Sequence, residues 1–188
     1  NLNRWASVKI PKIQKLPKQG KESAQYWKKS EVGKLLRTCS AQEPSILSLV
    51  AFLCHTGCRK SEAIALRTKD IDLETGYITV TPYGGYDTKT RKSRKIPINN
   101  ALRPHVQPAQ LGREFAFVAP STGRPYVFFP QRKWDRVVKK AELKGSPHKL
   151  RHTFASHLAM GTKDLPLVAR ILGHSHPRTT ELYAHLIP

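Results

Sequence analysis

The chain has 188 residues and carries 33 Lys and Arg against 13 Asp and Glu, a formal net charge of +20. Hydrophobic residues make up 39%, which suffices for one domain with a proper core. No stretch approaches the roughly 20 apolar residues that a membrane span needs, so we expect no membrane partner. The charge and a pI of about 10.2 favour a polyanionic partner, DNA or RNA.

Cysteine usage favours a reducing cytoplasm, because three cysteines cannot form a complete disulfide framework and no hydrophobic signal peptide is apparent. Cys54 and Cys58 flank His55 with a spacing that invites a zinc interpretation. A second Cys or His pair at a matching spacing is lacking from the sequence. We therefore expect buried thiols, with no metal and no cofactor.

Residues 1–22 are predicted to be a basic linker, and residues 23–188 a single folded domain. Lysine recurs at every third position from Lys9 to Lys21, with prolines between. That is the period of polyproline II, in which the lysines would form one row. The row could follow a phosphate backbone or serve as a solvated tether.

Helices are predicted to follow the linker. Ser30 is a plausible N-cap of the first helix. Ile46–His55 is apolar enough for a buried second helix, and Gly57 is a stop signal for it. Ser61–Leu66 indicates another short helix.

The middle of the chain is strand-like. Residues 77–80 read YITV, all β-branched or aromatic, and predict a strand. Residues 95–98 read KIPI and predict a further strand, with the turn signal Gly84-Gly85 between the two. Asn99 or Asn100 can cap a helix through Val106. Residues 115–118 are either a strand or a buried loop.

The C-terminal part is predicted to be a helical block over residues 128–141, 148–159, 163–172 and 178–186. The fold class is therefore α+β, mainly α-helical with a small antiparallel β-sheet between two helical parts.

Several polar residues have the side chains that phosphodiester cleavage requires: a nucleophile, proton-transfer groups and cationic donors for the phosphate oxygens. Arginine offers the planar fork that phosphate favours. His148 precedes Arg151 by three residues and shares its helix face. The candidate catalytic residues are Arg59, Lys89, His148, Arg151, His174 and Tyr183.

Three ordered motifs resemble the boxes of the tyrosine recombinases, the phage integrase family. Residues 56–71 read TGCRKSEAIALRTKDI, residues 148–156 read HKLRHTFAS, and the third box is LGH at 172–174 with TTELYAH at 179–185. The similarity covers the chain from about residue 28 onward. It implies the DNA breaking-rejoining catalytic fold and makes residues 23–188 a catalytic domain.

The resemblance implies the proton-transfer roles. Tyr183 would be the nucleophile that forms a 3′-phosphotyrosine and frees a 5′-hydroxyl. His148 would be the general base toward it. Lys89, in the TKT segment before a strand, would be the general acid, with Lys92 as a second choice.

The resemblance also implies the phosphate-binding roles. Arg59 and Arg151 would clamp the scissile phosphate, and His174 would donate to a non-bridging oxygen. Glu62 would be an auxiliary residue that steadies the pocket. The basic hairpin would contact DNA through Lys89, Arg91, Lys92, Arg94 and Lys95.

The implied activity is site-specific recombination of double-stranded DNA through a Holliday junction, without metal or ATP. The partners would be DNA and other protomers in a tetrameric synapse, whereas this sequence alone would associate weakly or stay monomeric. The protein, bacterial or phage-encoded, would act in the cytoplasm. The resemblance also implies that an N-terminal core-binding domain precedes residues 1–22, outside this sequence. Two alternatives stay open: a type IB topoisomerase-like nicking-closing enzyme, and a non-catalytic DNA-binding relic of a recombinase.

Overall fold

A computed structural model describes residues 26–81, 93–107, 112–176 and 178–187. The predicted linker and the Gly84-Gly85 turn lie outside these ranges. The helices are α1 (Lys29–Gln42), α2 (Leu47–Thr56), α3 (Lys60–Ile64), α4 (Arg103–Val106), α5 (Gln131–Lys140), α6 (His148–Thr162), α7 (Leu165–Leu172) and α8 (Arg178–Glu181). The strands are β1 (Ile71–Asp72), β2 (Tyr77–Val80) and β3 (Arg94–Pro97). Within the described ranges, no helix combines the length and apolar character required to cross a membrane.

Helix α2 forms the centre of the main core. Its apolar residues are buried around most of its circumference, among them Leu49, Phe52 and Leu53. Helices α1, α4 and α6 pack against it. Burial of each large apolar side chain contributes about 1.5–3 kcal/mol, so α2 anchors the elements that carry the functional residues.

The sheet has the order β1-β2-β3 and is antiparallel throughout, which confirms the predicted α+β class. Ile78 lies opposite both Ile71 and Ile96, and all three are buried, so one face of the sheet closes on the core. Residues 115–118 are part of no regular strand in the described structure and take part in isolated bridges. The register places Arg94 at the start of β3, opposite Val80.

Several helices begin at other residues than predicted. Helix α4 begins at Arg103, so neither Asn99 nor Asn100 is its N-cap. Helix α7 begins at Leu165 after its N-cap Asp164, where the sequence predicted a start at residue 163.

The starts of α1 and α5 differ as well. Helix α1 begins at Lys29, and the Lys28 backbone N–H donates to the Glu31 carboxylate at 2.7 Å, so Ser30 is not the N-cap. Helix α5 begins at Gln131 after Pro130. Phe128 precedes it as an exposed residue rather than as part of the helix. Residue propensities alone did not distinguish the N-cap residue from its neighbours in the sequence.

The prediction of a single helix over residues 178–186 is also wrong. Helix α8 ends at Glu181, a 3₁₀ turn spans Ala184–Leu186, and Tyr183 lies between them. The Tyr183 side chain is 2% exposed and packs in a second small core with Ala159 and Leu172. The broken helix therefore turns this side chain inward, against α6 and α7.

Gly57 has a steric reason to be glycine. It ends α2 with φ +64°, and an added Cβ would lie 2.5 Å from Phe154 Cδ1 and 2.8 Å from Leu172 Cδ2. We expect Gly57→Ala to lose about 2–5 kcal/mol of unfolding free energy, from left-handed backbone strain and overpacking together. Gly76→Ala is the matched control, with φ +74° and no atom within 4 Å of the added Cβ.

The measurement is urea denaturation of the wild type and both variants. The control isolates the backbone strain of roughly 1–2 kcal/mol. Equal losses in the two variants would show that the space around Gly57 does not matter.

Candidate active site

Arg151 is held by the ends of two helices. Its Nη1 donates to the Gly57 carbonyl and its Nη2 to the Leu172 carbonyl, both at 2.8 Å. These carbonyls lie at the C-terminal ends of α2 and α7. Backbone oxygens there have no partner within the helix, and this end of the helix dipole carries a partial negative charge. Burial and the neighbouring Arg59 lower the pKa of Arg151 to about 10, so the side chain stays cationic at neutral pH.

Glu62 is a buried carboxylate that binds two arginines. Arg94 donates through Nη1 and Nη2 to its two oxygens at 3.0 and 2.7 Å. Arg59 donates through its backbone N–H at 2.8 Å and through Nη1 at 3.2 Å. Burial opposes ionisation of Glu62, yet the hydrogen bonds and charges of Arg94 and Arg59 outweigh it, and the pKa of Glu62 is lowered. The carboxylate thereby fixes the start of α3 together with Arg59, the N-cap residue that precedes it.

The structure contradicts the DNA contact predicted for Arg94. Its side chain is 8% exposed, and its Nε donates to the Ile171 carbonyl at 2.8 Å while its other nitrogens bind Glu62. The guanidinium thus ties β3 to α3 and α7. Lys95 points to solvent on the next position of the strand. Lys89, Arg91 and Lys92 lie outside the described residues.

His148 lines an open cleft of ≈ 290 Å³ together with Arg59, Lys60 and Ser61. Both His148 and Arg59 are exposed to solvent there. Desolvation, followed by the charges of Arg151, Arg59 and Lys60, lowers the pKa of His148. The cleft is therefore cationic and accessible, as an anion site requires.

His174 contacts the segment that carries the tyrosine. Its Nδ1 lies 2.9 Å from the Thr180 hydroxyl, in α8. Burial, then the charges of Arg151, Arg59 and Arg94, lower its pKa to about 4. The imidazole is therefore neutral at neutral pH.

The Tyr183 hydroxyl forms its hydrogen bond with His152, at 2.8 Å from Nδ1, where the sequence interpretation had assigned His148 as the base. Burial raises the pKa of Tyr183, and the charge of Arg151 opposes the shift. His152 was not among the site residues predicted from the sequence. Its position four residues after His148, on the same helix face, was the signal that could have identified it.

Arg151 is the common neighbour of the predicted site residues. Its charge influences the pKa of His148, His174 and Tyr183, and Arg59 acts on Arg151 in turn. The fold thus gathers side chains from α3, α6 and the two segments after α7.

We expect Glu62→Ala to destabilise the domain by about 3–5 kcal/mol, because it leaves the Arg94 charge buried without its partner. Glu142→Ala removes the exposed ion pair with Lys34, whose side chains are 82% and 46% exposed, and should cost far less stability than Glu62→Ala. Urea denaturation of both variants measures the difference. Similar small losses would mean that water or another group solvates Arg94.

The low pKa of His174 predicts acid sensitivity. Because its folded value of about 4 lies below the ordinary value of 6.5, the unfolded chain binds more protons between these limits. Stability is therefore lost as pH falls from about 6.5 to about 4. A shift of this size corresponds to about 3 kcal/mol, which solvent screening of a partly exposed ring reduces to about 1–2 kcal/mol.

Between pH 6.5 and pH 4, the His174→Asn variant should therefore lose about 1–2 kcal/mol less unfolding free energy than the wild type. The exposed His185 provides the control, since His185→Asn should keep the wild-type pH dependence. The measurement is the unfolding free energy at pH 7, 5.5 and 4.5. An unchanged pH dependence in His174→Asn would contradict the assigned environment.

Comparison with known proteins gives consistent matches. The phage integrase family model matches residues 25–188. Tyrosine recombinase XerA of Pyrococcus furiosus is 32% identical over 191 residues, covering 97% of this chain and 62% of that protein. The chain thus spans about 60% of the length of the curated relatives it matches.

Solved structures agree with the sequence matches. The catalytic domain of bacteriophage HP1 integrase superposes with a TM-score of 0.69 at 28% identity, covering 87% of this chain and 88% of that one. The Tn1549 transposon integrase in complex with circular intermediate DNA gives a TM-score of 0.75 at 25% identity, covering 87% of this chain and 64% of that one. The chain belongs to the phage integrase family and has the fold of a tyrosine recombinase catalytic domain.

Proposed function

We propose that this domain cuts and rejoins double-stranded DNA through a transient bond between Tyr183 and a 3′-phosphate, as the catalytic part of a site-specific recombinase. The observation that carries the proposal is the convergence on Arg151 of a second arginine, two histidines and a buried tyrosine. Cleavage needs cationic donors around the phosphate and a nucleophile beside them.

The phosphate would enter the cleft beside Arg59. Arg59 and Arg151 would bind its non-bridging oxygens, and His148 and His174 would add hydrogen bonds. Arginine has five N–H donors, and the two that Arg151 gives to carbonyls leave three for the phosphate. An anion between these cations would relieve their mutual repulsion. The site would therefore stabilise the negative charge that the phosphate carries in the transition state.

In the chemical step the Tyr183 oxygen would attack phosphorus and displace the 5′-oxygen of the next nucleotide. Lys89 is the proposed proton donor for that leaving oxygen. The phosphotyrosine conserves the ester bond, so the reverse attack by a 5′-hydroxyl reseals a strand without ATP. Because Tyr183 is 2% exposed, the segment around α8 has to shift before in-line attack.

The proposed partners are supported by the net charge of the chain and by its relatives. A net charge of +20 favours binding to the DNA backbone. The Tn1549 integrase structure contains DNA. Strand exchange between two duplexes requires four active sites, so we propose a tetramer on DNA acting in the cytoplasm.

The test is covalent trapping in EDTA on a pool of nicked duplexes with randomised sequence, read by denaturing electrophoresis. The wild type should form a protein–DNA adduct, and Tyr183→Phe should form none while it still binds DNA. Tyr77→Phe is the control, because Tyr77 lies on β2 and is 45% exposed; it should react like the wild type. An adduct in Tyr183→Phe would assign the nucleophile to another residue.

The same assay separates an enzyme from a binding module. DNA binding by the wild type without any adduct would favour the non-catalytic alternative. Relaxation of supercoiled plasmid without strand exchange would favour the topoisomerase-like one.

A further inference from the structure

We infer that His152 is the group that takes the Tyr183 proton as the phosphotyrosine bond forms, an inference that rests on the proposed function. Its Nδ1 lies 2.8 Å from the tyrosine oxygen, within the 2.6–3.2 Å reach of a general base. His152 therefore touches the reacting atom. His148, the residue first expected to do so, faces the solvent-accessible cleft instead.

The orientation of the imidazole is constrained by two neighbouring rings. The His148 ring packs against it edge-on, with centroids 4.7 Å apart and an interplanar angle of 88°. The Tyr183 ring is a second neighbour, with its centroid 6.1 Å from that of His152. A base whose ring is held by a further group is the arrangement expected for an activated nucleophile. We therefore assign His148 the role of positioning residue for His152.

The charge around His152 favours the neutral ring that a base requires. Burial, then His148 and Arg151 on the same helix, lower its pKa. His174, from the segment after α7, also interacts with it electrostatically. With its proton on Nε2, the ring accepts the Tyr183 O–H at Nδ1.

The same cations make proton uptake depend on DNA. An imidazolium beside Arg151 is unfavourable while the cleft lacks an anion. A bound phosphate would offset the positive charge and raise the proton affinity of His152. Tyr183 would therefore be activated when a phosphate occupies the cleft.

The step balances in atoms and charge. The Tyr183 O–H bond breaks and its proton moves to His152 Nδ1 while the tyrosine oxygen bonds to phosphorus. The bond from phosphorus to the 5′-oxygen breaks, and that oxygen takes a proton from the general acid. On resealing, His152 returns its proton to the tyrosine oxygen.

The test uses the full chain, the same nicked DNA pool and the rate of adduct formation. In His152→Asn an amide can still hydrogen-bond the tyrosine hydroxyl but cannot take up its proton. We expect this variant to be slower by about 10²–10⁴-fold, the usual contribution of a general base. His157→Asn, on the same helix but in edge contact with Tyr26, is the control and should keep the wild-type rate.

A second substrate identifies which proton transfer is lost. Sulfur in place of the bridging 5′-oxygen leaves as a thiolate and needs no acid. A base defect persists on this substrate, so the His152→Asn rate should stay low. Restoration of the rate by sulfur would place His152 on the leaving group and overturn the inference, as would a wild-type rate on ordinary DNA.

The hydrogen bond itself is measured without DNA. In ¹⁵N-histidine spectra of the folded chain, Nδ1 of His152 should be unprotonated. Tyr183→Phe should raise the His152 pKa, because the lost O–H donor stabilised the neutral ring. A protonated Nδ1 or an unmoved pKa would contradict the inference. An absent adduct in the wild type, by contrast, would count against the proposed function.

Discussion

The site depends on one buried guanidinium that joins the ends of two helices. Arg151 meets the carbonyls that α2 and α7 leave without partners, so a requirement of helix termination also holds a cation in place. Lysine could not reproduce this contact, because one ammonium lacks the planar fork that reaches two fixed oxygens. The glycine after each helix lets the chain turn away sharply enough to expose the carbonyl.

Arg94 helps to hold Arg151 in place and would not itself contact the phosphate. Arg94 and Glu62 neutralise each other below the cleft, and Arg94 also holds the last turn of α7. The pair fixes α3 and α7 relative to β3, and with them Arg59 and the carbonyl that binds Arg151. The cations at the surface of the cleft are thus held in place by the Arg94–Glu62 ion pair, which would not itself contact a ligand.

Much of this arrangement could be predicted from local sequence. The motif boxes predicted Arg59, Arg151, His174 and Tyr183 as site residues, because each box carries such residues at fixed offsets. The direction of a side chain was harder. Arg94 stands in a run of basic residues that favours a DNA contact, and only the packing of β3 against α7 shows that it points inward.

The C-terminal segment shows a similar limit. Residues 178–186 have helical propensity, yet the chain breaks near Tyr183 because the aromatic ring is buried beside Ala159 and Leu172. Tertiary packing here overrides local preference. The contact between His152 and Tyr183 follows from that break, so it could not be read from the helical period of the last segment.

The Arg151 contacts also bear on when a nascent or damaged chain becomes reactive. Arg151 and Gly57 are 94 residues apart in sequence, and Arg94 and Ile171 are 77 apart. Contacts of such separation form late, because the entropy of closing long loops has to be met first. A partly folded chain would hold its tyrosine but no phosphate site, so the proposed cleavage of DNA would be confined to molecules that have completed their fold.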